Sequence, residues 1–359
     1  MLTYFDDFAT RYQPYKGGAW CYEDGCVYRG LLLLFEATGE ARWRDHLLRL
    51  ATAQVAPDGT LAGYDAQDFN IDNILSGRVL FALDRWTGDP RWLAAARHLA
   101  AQLGQHPRTA GGSYWHKKIY PHQVWLDGLY MGLPFQIELA QAAGDQRLIQ
   151  DALAQLREAF VLTDRGDGLY AHGYDAARAQ KWADPETGRS ASAWARALGW
   201  QAMALVDCAA LVGAGEFARA GLAQPTRALL GRIAGLQRED GGWLQVIDMP
   251  DLPGNYTETS ASAMFAYALL AADPTIAPAG APAAASGALA FLDRKLVGNR
   301  LTGIVHVAGL GGFSGVYRDG TPEYYLTEAV VEDDAKGVGP LMMAEATRLR
   351  RQSGQTRSA

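Results

Sequence analysis

One short pattern recurs along this 359-residue chain at the places where helices have to reverse direction. The segment ATGEARW at 37–43 returns as WTGDPRW at 86–92 and, in weaker form, as AGDQR at 143–147 and around GEF at 215–217. In the clear copies a glycine closes one helix and an acidic residue opens the next, as expected of a helix C-cap followed by a first turn that complements the helix dipole. Connections this short predict antiparallel helical hairpins.

The segments between these turns carry the apolar spacing of amphipathic helices. Apolar residues recur three and four positions apart in roughly a dozen segments, whereas the two strand-like pieces, at 243–248 and 303–309, are too short to build a sheet. The alternate connections are long, glycine-rich and aromatic: 55–69, 104–122, 164–190, 238–256 and 299–325. We therefore expect short turns at one end of the molecule and a ligand pocket among the long loops at the other.

Helical hairpins that repeat about every 50 residues indicate a solenoid or a toroid. About a dozen helices in this length fit an all-α, closed (α/α)6 barrel built from six hairpins, and an open superhelix is the alternative. No linker divides the chain, so residues 1–351 are predicted to form one barrel domain. Residues 352–359 are predicted to be a disordered tail and 274–287 a surface loop.

Composition excludes several classes of partner. A net charge of -6, without a basic run outside a short C-terminal segment, argues against nucleic-acid binding. The acidic N-terminal segment does not resemble a signal peptide, and no apolar run approaches the roughly 20 residues that span a bilayer. Cys21, Cys26 and Cys208 lack zinc-site spacing and are expected to be reduced structural thiols. We expect a cytoplasmic protein, and its oligomeric state stays open.

The stretch at 111–135, GGSYWHKKIYPHQVWLDGLYMGLPF, carries the strongest chemical signal. Asp127 lies there in an apolar and aromatic run, where a carboxylate costs free energy unless it is paired or used. Tryptophan, histidine and two lysines occupy 115–118 just upstream. Acid, cations and flat rings so close together indicate a site for an anionic, sugar-like ligand. Desolvation is also expected to raise the pKa of Asp127, which would suit a general acid at neutral pH.

Four blocks of sequence resemble the unsaturated rhamnogalacturonyl hydrolases of glycoside hydrolase family 105. They are 111–135, HGYDAARAQKWADPETGRSASAWARALGW at 172–200, GGWLQVIDMPDLPGNYTETSASAMFAYAL at 241–269, and GLGG with YRDGTPEYY and KGVG between 309 and 339. The blocks stand in order and cover nearly the whole chain. The resemblance implies an (α/α)6 barrel and a hydrolase that removes a 4,5-unsaturated galacturonyl residue from pectin-derived rhamnogalacturonan oligosaccharides.

The resemblance also implies a set of site residues. Asp127 matches the catalytic aspartate of the WLDG motif, and Asp72 matches a second aspartate near the reacting centre. From the residues alone, Asp127 could instead be a helix-interior acid satisfied by a neighbour, and Asp72 a helix cap. Arg196 and Trp200 stand four apart on one helix face, where the first is expected near the uronate carboxylate and the second under a sugar ring. The implied substrate-binding residues are His116, Lys117, Trp125, His172, Arg196 and Trp200.

The implied reaction begins with protonation of C4 of the double bond by Asp127 and continues with addition of water at C5, without metal, nucleotide or redox cofactor. The partner is an oligosaccharide with an unsaturated uronate at its non-reducing end. The alternatives are an unsaturated glucuronyl hydrolase of glycosaminoglycan fragments, a sugar epimerase, and a non-catalytic carbohydrate-binding toroid. The roles of Tyr324, Tyr325 and the WADPETG segment at 182–188 stay open, whereas NYTETS at 255–260 is interpreted mainly as helix capping.

Overall fold

Helices dominate the computed structural model, which describes the backbone of residues 1–356 and the side chains of residues 1–354. Three 3-10 helices, Lys16–Gly18, Ala66–Asp68 and Ile71–Val79, accompany the α-helices, and the last of them runs directly into α4. The described α-helices are α1 Leu2–Arg11, α2 Tyr22–Thr38, α3 Ala41–Gln54, α4 Leu80–Thr87, α5 Arg91–Gln105, α6 Leu126–Ala143, α7 Gln146–Leu162, α8 Ala195–Val212, α9 Ala214–Arg219, α10 Ala223–Gly235, α11 Thr259–Ala271, α12 Ala281–Arg294, α13 Pro322–Tyr325 and α14 Ala335–Thr356.

The helices form two concentric layers. In the inner layer each element packs against the next, in the order α2, the 3-10 helix with α4, α6, α8, α11 and α14, and α14 packs back against α2. The outer layer consists of α1, α3, α5, α7, α10 and α12, which pack against the inner helices or against each other. Because the ring closes, the predicted (α/α)6 barrel is confirmed and the open superhelix is wrong.

The predicted glycine turns form at the short-connection end. Gly39, Gly88 and Gly144 have φ of 71°, 66° and 68°, and each donates its backbone N–H to the carbonyl four residues earlier. This left-handed conformation is one that glycine adopts without the steric cost that other residues carry. In the weakest copy the turn glycine is Gly213, since Gly215 lies inside α9.

Short strands brace the long loops at the other end. They form four antiparallel pairs, so no larger sheet exists among the described residues, as expected. The piece at 303–309 contributes a strand, but the piece at 243–248 makes only isolated bridges, and the two do not pair with each other. The pairs are β1 Gln123–Trp125 with β2 Gly173–Asp175, β3 Leu296–Val297 with β4 Arg300–Leu301, β5 Ile304–Val305 with β8 Val330–Val331, and β6 Gly311–Phe313 with β7 Val316–Arg318.

Two predicted irregular segments are partly helical. The second half of the expected surface loop at 274–287 belongs to α12, which begins at Ala281 with a proline in its first turn and continues through alanines. Proline suits the first turn and alanine favours the helix interior, so this part of the prediction is wrong. The helix α14 runs to Thr356, into the predicted tail, and residues 357–359 lie outside the described part of the chain.

The inner helices are apolar and buried over most of their length. The helix α8 has, among the described residues, the length and composition to cross a membrane, but 83% of that 18-residue span is buried inside the barrel. A core helix surrounded by other helices is expected to be hydrophobic all round. The cysteines Cys21, Cys26 and Cys208 are buried and unpaired, as predicted for structural thiols.

Candidate active site

The carboxylate of Asp127 faces the imidazole of His172. Asp127 lies in the first turn of α6, directly after β1. The β1–β2 pair brings Gly173 opposite Trp125, and the N–H of Leu126 donates to the carbonyl of His172 at 3.0 Å. As a result, His172 Nε2 lies 3.1 Å from Asp127 Oδ2, although the contact lacks hydrogen-bond alignment. An acid and an imidazole this close can hold one proton between them.

The pKa of Asp127 is lowered, not raised. Burial pushes the pKa up, but the charge and contact of His172 outweigh burial, and His116 adds a smaller effect in the same direction. The side chain is surrounded by protein, yet 15% of it remains exposed. The expected rise in pKa is therefore wrong, because the sequence around Asp127 shows its apolar neighbours but not the imidazole that comes from a distant loop.

A tyrosine fixes the orientation of His172. The hydroxyl of Tyr325 lies 2.7 Å from His172 Nδ1, and both side chains are fully buried. The ring of Trp194 stacks on Tyr325 at 5.4 Å between centroids. Tyr324 instead accepts a hydrogen bond from Gly309 N–H and donates to Glu328. The open question about the two tyrosines is thereby answered: Tyr325 packs behind His172, and Tyr324 joins two loop segments.

Asp72 is held by Lys117 and is not a helix cap. It lies in the first turn of the 3-10 helix Ile71–Val79, whose cap is Asn70, which accepts a hydrogen bond from Asp72 N–H at 3.1 Å. Lys117 Nζ is 2.6 Å from Asp72 Oδ2. Asp72 Oδ1 lies 3.8 Å from His116 Nε2 and has no hydrogen-bond partner among the described residues. One buried carboxylate oxygen is therefore left without a hydrogen bond.

His116 and Trp125 pack together behind these two acids. Their rings stack at 4.3 Å between centroids, and both side chains are buried. Burial lowers the pKa of His116 to about 4, with the ammonium of Lys117 acting in the same direction and Asp72 against it. At neutral pH His116 is consequently uncharged, and it can contribute a hydrogen bond but not a cation. Trp125 presents little of its ring to a ligand.

Arg196 and Trp200 are placed differently from the sequence expectation. Arg196 is almost fully buried in the first turn of α8, where it donates to the carbonyls of Val305 at 2.5 Å and His306 at 3.2 Å. Its guanidinium thus holds β5 against the barrel. Trp200 lies one turn deeper and stacks on Tyr130 at 5.5 Å in the core. The sequence places Arg196 and Trp200 on one helix face, but it does not show the carbonyls that engage Arg196, because they come from a segment far along the chain.

Glu258 connects the same strand to α11. It is fully buried and accepts hydrogen bonds from the N–H groups of Ser260 at 3.0 Å, Ala261 at 2.6 Å and Val305 at 2.9 Å. The interpretation of NYTETS as capping chemistry is confirmed, since this side chain caps α11. The bond to Val305 goes further, because it holds β5 at the same residue whose carbonyl accepts from Arg196.

The WADPETG segment is a structural turn. Asp184 accepts hydrogen bonds from the N–H groups of Glu186 and Thr187, and Trp182 packs in a small apolar cluster with Tyr120 and Leu310. Gly188 has φ of 76°, and a side chain there would meet the backbone of the neighbouring strand. This segment shapes the loop that carries His172.

Sequence reasoning missed the start of α2. The ammonium of Lys16 lies 3.1 Å from Glu23, and the ring of Tyr22 meets Trp200 edge-on at 6.4 Å. Burial raises the pKa of Tyr22 well above its ordinary value, and the nearby charges of Glu23 and Asp72 add to that effect. The start of α2 therefore borders the Asp72 side of the site. The only sequence signal was a polar beginning to an otherwise apolar helix.

The barrel closely matches a solved enzyme structure. A glycoside hydrolase from family 105 of C. acetobutylicum superposes with a TM-score of 0.87 at 32% identity, over 92% of this chain and 93% of that chain. Residues 5–352 match the family model described as Glycosyl Hydrolase Family 88. The chain belongs to the family 88/105 glycoside hydrolases. The resemblance to family 105 is confirmed, and the protein is an unsaturated uronyl glycoside hydrolase.

Two curated relatives of this family 88/105 hydrolase match long parts of the chain. A protein of Agrobacterium fabrum is 55% identical over 230 residues, which are 61% of this chain and 98% of the relative. The unsaturated rhamnogalacturonyl hydrolase YesR of Bacillus subtilis is 28% identical over 259 residues, 70% of each chain. Enzymes of this family act on oligosaccharides with an unsaturated uronate at the non-reducing end.

Buried histidines predict that this family 88/105 hydrolase loses stability in mild acid. Burial lowers the pKa of His106 and of His116 to about 4, against about 6.5 for an exposed histidine. The unfolded chain therefore binds protons that the folded chain does not bind. The contribution of these histidines to the free energy of unfolding is fully present above about pH 6.5 and is lost as the pH falls towards 4. We expect a loss of up to about 3 kcal/mol per histidine, measurable by urea unfolding at pH 7, 5.5 and 4.

The variant His106→Gln should make stability less dependent on pH. His98→Gln, at an exposed position of the helix α5 that His106 terminates, should leave the dependence unchanged. If the free energy of unfolding of His106→Gln changed with pH as steeply as that of the wild type, burial would not be lowering the pKa of His106.

Proposed function

We propose that this enzyme removes a 4,5-unsaturated galacturonyl residue from rhamnogalacturonan-derived oligosaccharides. The observation that carries the reaction is the Asp127–His172 pair at 3.1 Å, partly open to a ligand and backed by Tyr325. The sugar specificity is supported by the Bacillus subtilis relative that is named an unsaturated rhamnogalacturonyl hydrolase. The His116–Lys117 pair and the GLGG and YRDG blocks favour the same branch.

The substrate is a vinyl ether, so it can be hydrated without direct attack on the glycosidic bond. Asp127 donates its proton to C4, and positive charge develops at C5 and the ring oxygen. A water molecule adds at C5 and returns a proton to the Asp127 carboxylate, which restores the acid. The resulting hemiketal opens by breaking the bond between C5 and the ring oxygen. The hemiacetal left at C1 then collapses and releases the sugar that carried the unsaturated residue.

A bound substrate explains how an acid with a lowered pKa can act as a proton donor. In the free enzyme the contact with His172 outweighs burial and favours the carboxylate form of Asp127. The carboxylate of a bound uronate adds negative charge next to Asp127, which raises the pKa of that acid. Asp127 then carries the proton that it donates to C4.

Lys117 is the best-placed cation for the uronate carboxylate. Arg196 donates to backbone carbonyls, and the lowered pKa of His116 leaves its imidazole neutral. The Lys117 side chain remains 23% exposed, with Asp72 Oδ2 at 2.6 Å. Because Asp72 offsets most of its charge, Lys117 can orient the carboxylate without a strong positive potential at C5. Asp72 would use its free oxygen on a sugar hydroxyl.

The test is the absorbance of the conjugated enol carboxylate, followed separately with unsaturated galacturonyl-rhamnose and with an unsaturated glucuronyl disaccharide from a glycosaminoglycan. We expect both the loss of the band and at least about a tenfold higher kcat/KM for the first substrate, which corresponds to about 1.4 kcal/mol of transition-state binding. The opposite preference would move the enzyme to the glucuronyl branch. If neither substrate lost its absorbance band but both sugars bound, the protein would be a non-catalytic carbohydrate-binding toroid.

A further inference from the structure

A cavity of about 1110 Å³ opens at the end of the barrel opposite to Asp127. Its walls come from the C-terminal halves of all six inner elements, whereas Asp72, Asp127 and Arg196 lie in the first turns of theirs. The cavity is therefore separate from the catalytic end, and the proposed reaction uses none of its residues. Apolar side chains form part of the wall: Leu32, Leu33, Phe81, Leu93 and Leu270.

A charged cluster forms the floor of this cavity. Arg78 donates to Glu138 Oε1 at 2.8 and 3.1 Å and to Asp207 Oδ2 at 2.5 Å. Tyr267 donates to the other oxygen of Asp207 at 2.5 Å. Both acids are thus engaged by Arg78 and Tyr267, although Oε2 of Glu138 has no partner among the described residues.

Arg29 is the more weakly held cation of the floor, where it forms a long ion pair with Asp207. Its nearest carboxylate oxygen, on Asp207, is 3.7 Å away, which is too far for a hydrogen bond. The Nε atom is buried without a partner, and Arg29 makes no hydrogen bond among the residues that the structure describes. The residue is 9% exposed and lines the cavity. A guanidinium this deep, with a buried Nε donor that lacks an acceptor, is stabilised by a ligand that accepts hydrogen bonds.

We infer that this cavity binds a small carboxylate, with Arg29 as its anchor. The planar guanidinium matches a carboxylate through two parallel hydrogen bonds, and the apolar wall accommodates a carbon skeleton. The C-termini of the inner helices disfavour anions at the mouth, but this effect fades beyond the last turn. Arg29 lies about 13 Å before the end of α2, beyond the reach of that effect.

Calorimetric titration of the full chain with D-galacturonate tests the site, with L-rhamnose as a neutral sugar and inorganic phosphate as a generic anion. Arg29→Met should weaken galacturonate binding at the cavity at least tenfold, and Lys117→Met should retain that site. Turnover of unsaturated substrate by Arg29→Met should match the wild type, which separates this inference from the proposed function. Rhamnose should not bind at Arg29, and phosphate that bound there more tightly than galacturonate would overturn the carboxylate assignment.

A second variant tests the site independently, in case Arg29→Met does not fold. Ala210 lines the mouth of the cavity at an exposed position of α8, so Ala210→Trp should block entry while the floor stays intact. Ala53→Trp, at an exposed position of α3 that does not line the cavity, is the matched control. Loss of galacturonate binding in Ala210→Trp but not in Ala53→Trp supports the site. Unchanged binding in both Arg29→Met and Ala210→Trp overturns it.

Discussion

Asp127→Asn is expected to reduce turnover of unsaturated galacturonyl-rhamnose by about 10²–10⁴-fold. The amide has the shape of the acid, but it can neither give a proton to C4 nor take one from water. Substrate binding should persist, because Lys117 and Asp72 are untouched. The decrease is therefore expected in kcat. Turnover is measured from the absorbance of the enol carboxylate, and substrate binding is measured by calorimetry with the same disaccharide.

A matched control is available at the other end of α6. Asp145→Asn alters an exposed helix cap that follows the Gly144 turn, and it should leave turnover at the wild-type level. If Asp127→Asn kept more than a tenth of the wild-type rate, the role of Asp127 as proton donor would be wrong. In that case the imidazole of His172 would be the remaining candidate, and His172→Gln would be the decisive variant.

Glu258→Ala is expected to lower the free energy of unfolding by at least about 3 kcal/mol. The substitution leaves three buried N–H groups, of Ser260, Ala261 and Val305, without their acceptor. Each buried donor that loses its partner costs about 1–3 kcal/mol. Urea unfolding at pH 7 measures the change. Since Arg196 and Glu258 hold β5 together, activity should fall as well, without direct contact between Glu258 and the substrate.

Asp145→Ala is the control that separates the effect of burial from the effect of helix capping. Asp145 also caps a helix, accepting from Arg147 N–H, but it does so at the surface. An exposed cap of this kind contributes about 1 kcal/mol. If Glu258→Ala destabilised the protein no more than Asp145→Ala, water would be reaching the α11 terminus, and the buried bridge to β5 would not be holding the strand.

The fold could be predicted because its determinants are local. A glycine cap is recognisable within a few residues, and Gly39, Gly88 and Gly144 each form the turn that the repeated segment indicates. Apolar spacing places the inner helices in the same way. The errors came where local signals compete, as at the start of α12, where alanine and proline in one segment favoured a loop interpretation.

The candidate site could be predicted only in part. The sequence proposed a set of acids, cations and rings, and the structure brings three of them, Asp72, His116 and Lys117, together near the Asp127–His172 pair. The pKa of Asp127, in contrast, depends on contacts between segments that are far apart in the chain. The imidazole that lowers the pKa of Asp127 comes from the loop before α8, so a pKa argument based on the WLDG segment alone had the wrong sign.

By itself the sequence determined the helical hairpins and indicated Asp127 as the candidate acid, because caps, helical period and motif residues are encoded over short stretches. The closure of the hairpins into a ring was decided by the packing of α14 against α2. The tertiary structure decided what each polar group meets. It engaged Arg196 with the carbonyls of Val305 and His306, buried Trp200 against Tyr130, and left the Nε atom of Arg29 without an acceptor beside a cavity. Hydrogen bonds and pKa values depend on distances of a few ångströms between segments far apart in the chain, and only the folded barrel sets those distances.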